Sequence, residues 1–75
     1  MNFKNVFSCR LLALRKEKKI SLQKLGDSIG ISNQAVSLLE KGYNVPSFDT
    51  LIALCNYFNV SADYLLGLSD DPVRR

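Results

Sequence analysis

Apolar residues recur at helical spacing along most of this chain, and nowhere do they alternate at the period of a strand. Phe7, Leu11 and Leu14 stand at i, i+4 and i+7 in a stretch from about Asn5 to Lys18 that contains neither Gly nor Pro, which predicts an amphipathic helix. Lys16, Lys18 and Lys19 suit the negative pole at its end. Ser21 reads as the N-cap of a second helix of about two turns, with Leu22, Leu25 and Ile29 on one side and Gly30 as its left-handed stop. After a connection of Ile31 and Ser32, with Ser32 as the next cap, Val36 and Leu39 mark a third helix that Gly42 ends. Tyr43 to Pro46 form a loop. Ser47 caps a fourth helix with Leu51, Leu54, Cys55 and Phe58 in its stripe and Asn59 as its stop. Val60 bridges to Ser61, the cap of a last short helix through Leu65 before Gly67. The expected fold is all-α, five helices in one domain over residues 1–68, with residues 69–75, which include Pro72, as a flexible C-terminal tail.

The second and third helices carry the most information. A helix-turn-helix needs a small residue where its two helices cross, a turn residue able to take positive φ, and apolar residues that lock the pair. Gly26 is the small residue, Gly30 the turn, and Leu25, Ile29, Ile31, Val36 and Leu39 the lock, so residues 22–41 supply the full set at suitable spacing. The surrounding text is as specific. Arg10 to Arg15, Ile20-Ser21, Leu25-Gly26, Ile29 to Ser32, Val36, Leu39 to Gly42, Pro46-Ser47, Leu51, Val60-Ser61 and Asp63 to Gly67 together resemble the lambda-repressor-like family of Cro, phage repressors and XRE-type bacterial regulators. The resemblance spans residues 8–67 and implies a five-helix DNA-binding domain whose third helix enters the major groove. In one place the chain departs from the family, which commonly has Gln at the first position of helix two; here Leu22 stands there, with Gln23 beside it, turned about 100° away around the helix.

Helix three can also be read from its own geometry. With Val36 toward the core and about 100° per residue, Leu39, Ser32 and Glu40 fall near the core direction, Gln34, Leu38 and Lys41 fall opposite, and Ser37 lies between. Gln34 is the expected main base reader, because its amide can grip adenine N6 and N7 together; Asn33 and Ser37 are secondary, and Leu38 can meet a thymine methyl. Each has a bland alternative: Gln34 as a solvated surface residue, Asn33 as an ordinary first-turn residue, Leu38 as one exposed leucine among many. Phosphate contacts are expected from Ser21, Lys41, Tyr43 and Asn44, with Ser32 and the backbone amides at the starts of helices two and three assisting and Gln23 as a further candidate. Arg15, four residues after Leu11, and Glu40, four after Val36, sit at the edges of core-facing stripes with opposite charge; they are expected to pair, as the resemblance also implies.

Composition narrows the class further. With 47% hydrophobic and 23% charged residues among 75, the chain has enough apolar material for one small core. The net charge of +3 divides unevenly: residues 1–46 carry +5 and residues 47–75 carry −2, which suits the first part to a polyanion. With no histidine, no paired carboxylates and only the separated Cys9 and Cys55, the usual residues of acid-base chemistry and of a metal site are missing, so no enzyme, metal or cofactor is expected. Both cysteines are expected as reduced packing thiols. No apolar run approaches the roughly 18 residues of a membrane span, and a cytoplasmic location is expected. The resulting expectation is a sequence-specific regulator, a repressor that binds a palindromic site on double-stranded DNA as a homodimer. The dimer contact is expected around Tyr64, Leu66 and Leu68, which could instead cap a monomer's core. The alternative is an antitoxin or interaction module with an unknown protein partner.

Overall fold

A computed structural model describes residues 3–74 and contains five helices: α1 Phe3–Glu17, α2 Leu22–Ile29, α3 Asn33–Glu40, α4 Phe48–Phe58 and α5 Ala62–Leu66. No strand occurs among the described residues. Four of the five starts are set by serine. Ser21, Ser32, Ser47 and Ser61 are all extended, and each accepts at its side-chain oxygen the backbone N–H three residues on, satisfying a donor that the first turn would leave open. The stops are equally local. Gly30, Asn59 and Gly67 take the left-handed conformation directly after α2, α4 and α5. Gly42 does so one residue after the Lys41 cap of α3, and Tyr43 N–H closes back on the carbonyl of Leu38 at 3.1 Å.

In secondary structure the differences from the sequence reading are confined to helix ends and the C-terminal segment, whereas among side chains Cys9, expected to pack, is exposed on α1. The apolar stripe of α1 marks the portion that touches the core, whereas the helical backbone begins at Phe3, about half a turn earlier. Lys19 takes φ +58°, which the sequence did not announce; the reversal lets Ile20 N–H return to the carbonyl of Arg15. The segment read as a flexible tail lies against the body. The Pro72 carbonyl accepts from Ser61 N–H at 3.0 Å, and Arg74 Nη2 donates to Asn56 Oδ1 at 2.7 Å. Arg10 holds the beginning of the segment: its guanidinium lies 4.2 Å from the centre of the Tyr64 ring and donates to the Tyr64 carbonyl, the Ser69 carbonyl and Asp70. None of these partners is near Arg10 in sequence, so periodicity could not reveal them.

α1 packs on α3 and α5, α2 on α3 and α4, and α4 on α5, around Phe7, Leu11, Leu25, Val36, Leu39, Leu54, Cys55, Phe58, Val60 and Leu65. Across the edge of this core, Arg15 Nε and Nη2 grip the two oxygens of Glu40 at 2.6 and 3.1 Å, while Nη1 donates to the Ile20 carbonyl at 2.9 Å. The pair is largely desolvated, the Arg15 side chain being 15% exposed and that of Glu40 7%. The Glu40 hydrogen bond holds the guanidinium pKa above its ordinary value, against burial, which pulls it down, and with help from the charge of Glu40.

Glu40→Ala removes the carboxylate and leaves Arg15 buried without its anion, so stability is expected to fall by about 3–5 kcal/mol, a large share of what a domain this small has. Glu40→Gln, which keeps one acceptor, is expected to lose less. Urea denaturation read by circular dichroism checks both, and an unchanged midpoint for Glu40→Ala would falsify the role given to the pair.

Candidate nucleic-acid interface

The interface is built on the crossing of α2 and α3, and Gly26 sets how close that crossing is. A Cβ placed on Gly26 would stand 2.5 Å from the Ile31 carbonyl oxygen and 3.2 Å from the Ser32 carbonyl carbon, both backbone atoms of the turn. The backbone of α2 therefore touches the turn directly, and the Gly26 carbonyl accepts both Gly30 N–H and Ile31 N–H. Gly30 serves the turn differently, by its φ of +83° in open space. Leu25 and Val36 are fully buried and Leu39 nearly so, with Ile29 and Ile31 packed against them, so α3 is held as a rigid ridge.

The rotation of α3 follows from its buried side. With Val36 and Leu39 inward, Asn33, Gln34 and Lys41 are exposed, Leu38 is 37% exposed, and Ser37 is half-buried between them. Ser21 and Ser32 stand exposed at the starts of α2 and α3, their oxygens engaged in capping Lys24 N–H and Ala35 N–H and their hydroxyl protons left to donate. Tyr43 and Asn44 are exposed in the loop beyond α3, next to Lys41. Of the named residues, Asn33, Gln34, Ser37 and Leu38 lie on α3 with Ser32 and Lys41 as its caps and Tyr43 and Asn44 in the loop after it, while Ser21 and Gln23 stand at the start of α2, which packs on α3. Glu40 belongs to the ion pair and not to this surface.

Two features escaped the sequence reading. Gln23 is not directed at an external group alone: its Nε2 donates to Asp27 Oδ1 at 2.8 Å, and its Oε1 accepts from Asn33 Nδ2 at 3.1 Å. The Gln23–Asp27 half has helix spacing i, i+4 and was legible in principle; the bond to Asn33 depends on the angle of the turn. The second feature is charge. Arg15 is neutralised by Glu40 and Arg10 faces Asp70, so the basic character offered to an outside anion rests on lysines, among them Lys16, Lys19, Lys24 and Lys41, all exposed. Lys18 Nζ lies 5.0 Å from the Tyr57 ring centre. No group of three His, Cys, Asp or Glu residues that could hold a metal occurs among the described residues, and no helix there is long and apolar enough to cross a membrane.

The pattern of the Helix-turn-helix family matches residues 11–65, which takes in the whole of α2, the turn and α3. The chain belongs to the lambda-repressor-like helix-turn-helix family. Among relatives, an uncharacterised HTH-type transcriptional regulator of Bacillus subtilis, YobD, is 40% identical over 63 residues, which are 84% of this chain and 56% of the relative. The repressor protein C2 of Salmonella phage P22 is 40% identical over 57 residues, 76% of this chain and 26% of that protein. The chain thus spans little more than half of the first relative and about a quarter of the second. Among solved structures, the P22 c2 repressor in complex with a synthetic operator superposes with a TM-score of 0.76 at 37% identity, covering 79% of this chain and 89% of that one. The clp gene regulator ClgR of Corynebacterium glutamicum, at 23% identity and a TM-score of 0.77, shares the fold.

Gly26→Ala is expected to force the turn away from α2 and lower stability by about 1–3 kcal/mol, since the atoms it meets are backbone and cannot rotate aside. Gly30→Ala meets no atom and is expected to lose about 1–2 kcal/mol from the left-handed backbone alone. Chemical shift mapping separates the two: displacements reaching Ile31 and along α3 are expected for Gly26→Ala, and their absence would contradict the close contact.

Proposed function

We propose that this chain is a sequence-specific regulator of transcription that lays α3 in the major groove of double-stranded DNA and represses from a palindromic operator as a homodimer. The observation that carries the reading is the outward face of α3, where Asn33, Gln34 and Leu38 are exposed with the half-buried Ser37 beside them, on a helix locked by Gly26 and the buried Leu25, Val36 and Leu39. These side chains offer amides, a hydroxyl and a methyl-seeking leucine, the groups that read base edges. The likeness to a repressor solved on a synthetic operator supports the same docking. Gln34 serves as the main base reader. Ser21, Ser32, Lys41, Tyr43 and Asn44 hold phosphates, with the uncapped N–H groups at the starts of α2 and α3 adding their partial positive charge. This reading places the protein in the cytoplasm, and the task needs no catalytic group.

Two copies are required because one short helix reads few base pairs, and twofold symmetry places two such helices about 34 Å apart on the same side of the duplex. The faces available for pairing are apolar and exposed. Leu68 is 76% exposed, and on α4 Phe48 and Ile52, one turn apart, are 85% and 58% exposed. Tyr64, by contrast, is half-buried beneath Arg10.

Selection of binding sites from random duplexes followed by titration at several salt concentrations tests this reading. The selected sites are expected to be palindromic, and log K is expected to fall with log salt at a slope near −5 for the dimer, about three phosphates per subunit. Lys41→Ala makes that slope shallower by about one to two. Gln34→Ala is expected to lose about 1–3 kcal/mol on the selected operator and nothing on a scrambled duplex at the same salt. Affinity independent of salt would sink the DNA reading, and asymmetric sites saturated by one protein per duplex would sink the dimer.

A further inference from the structure

Residues 69–74 fold back over the corner between α4 and α5 and are held there by hydrogen bonds. Arg10 Nη1 donates to the Ser69 carbonyl at 2.7 Å, and Arg10 Nη2 to Asp70 Oδ1 at 3.0 Å. Ser61 N–H donates to the Pro72 carbonyl at 3.0 Å, and Arg74 Nη2 to Asn56 Oδ1 at 2.7 Å. The chain is pinned just before this segment: a Cβ on Gly67 would stand 2.8 Å from Val6 Cγ1, and Leu68 N–H returns to the Asp63 carbonyl at 2.8 Å. Any opening is therefore hinged beyond Leu68.

The underside of the segment is apolar and its outer side is charged. Cys55 and Val60 are buried, and with Leu51 and Ile52 they line an open concavity whose other wall includes Val73 and Arg74. Burial pushes the Cys55 thiol pKa up while the charge of Arg74 pulls it down, which sets that guanidinium near the sulfur. Asp70 is fully exposed even as it binds Arg10, and Asp71 and Arg74 also face solvent.

We propose that residues 69–74 are an autoinhibitory latch on the pairing of two copies: closed, they keep a second copy off the α4–α5 corner, and open, they join Cys55 and Val60 to the exposed Ile52 and Phe48 as one apolar face for that copy. This rests on the homodimer proposed above. The centre of an interface is apolar and poor in charge. A copy that docked over the closed latch would have to bury the Arg10–Asp70 pair and Arg74, and taking those charges out of water costs more than their exposed contacts return. Opening swings Asp70 and Arg74 aside. It is also cheap, because exposed ion pairs and hydrogen bonds at the edge of a domain are the first to give way. Each copy must open, so the fraction of open latches enters the dimer constant twice.

The test uses the full chain, with Cys55 as the reporter. In a Cys9→Ser background Cys55 is the remaining thiol, and its rate of alkylation follows the opening of the segment above it. Asp70→Ala with Arg74→Ala removes two exposed side chains and leaves the core alone, and is expected to raise that rate by about threefold or more. Loss of the Arg74 charge by itself would raise the thiol pKa and slow the reaction, so a faster rate reads opening. The same variant is expected to tighten the dimer constant, measured by sedimentation equilibrium, by about ninefold or more, the square of that factor. Val73→Cys, across the same concavity from Cys55, allows a disulfide that locks the latch shut. The locked protein is expected to stay monomeric and to pair again on reduction. An alkylation rate or dimer constant unchanged by the double variant, or a locked protein that pairs as well as the reduced one, would overturn the latch while leaving the homodimer intact. A protein that is monomeric in every form and selects asymmetric sites would overturn the homodimer, and the latch with it.

Discussion

Arg15 and Glu40 are the joint on which the other elements are hung. The guanidinium comes from the last turn of α1, the carboxylate from the last residue of α3, and the third donor reaches the Ile20 carbonyl in the turn that leads into α2. Three segments are thus held by one side chain. The core alone does not impose this, because apolar contacts tolerate sliding and rotation, whereas two parallel hydrogen bonds to a nearly buried carboxylate tolerate neither. What is gained is geometry more than net stability, since desolvating both ions offsets much of their attraction. The pair anchors the C-terminal end of α3, the helix proposed to read bases, and a binding site of that kind needs its supporting element held to within about 0.5 Å.

The near end is placed by an absence of atoms. Gly26 lets the turn backbone approach α2 to a distance that no side chain would permit, and the short connection from Gly30 to Ser32 then launches α3 with a serine cap already in place. The same approach brings Gln23 within reach of Asn33. Packing and this polar contact are therefore consequences of one close approach: the glycine that lets the helices cross also lets an amide on α2 meet an amide on α3.

Charge is organised by the same economy of positions. The two arginines of α1 with assigned partners face inward or toward the chain's own C-terminal segment, where planar, multi-donor guanidinium groups can satisfy carbonyls and carboxylates at once. Most of the lysines, compact charges on flexible stems, stand in solvent, where they suit contacts with a polyanion that require sign more than shape. Setting the Arg15–Glu40 pair aside leaves the net charge of the first 46 residues unchanged, because the pair contributes one charge of each sign.

Local chemistry makes much of this protein legible in its sequence. A serine cap, a left-handed glycine or asparagine and a stripe at helical spacing each act within a few residues, so the five helices, the turn at Gly30 and the buried faces at Val36, Leu39, Leu54 and Leu65 all follow from the order of residues alone. The pairing of Arg15 with Glu40 is legible too, because both stand one turn beyond a core residue on stripes that must meet. Contacts that depend on how two helices cross are not. The bond between Gln23 and Asn33, the clamp of Arg10 on Tyr64, Ser69 and Asp70, and the return of Pro72 to Ser61 join residues 10 to 60 positions apart. Helical periodicity gives the face on which a side chain lies, but not the interaxial angle and distance that decide which side chain lies across from it. Those are set by the packing of the whole core, and only the tertiary structure supplies them.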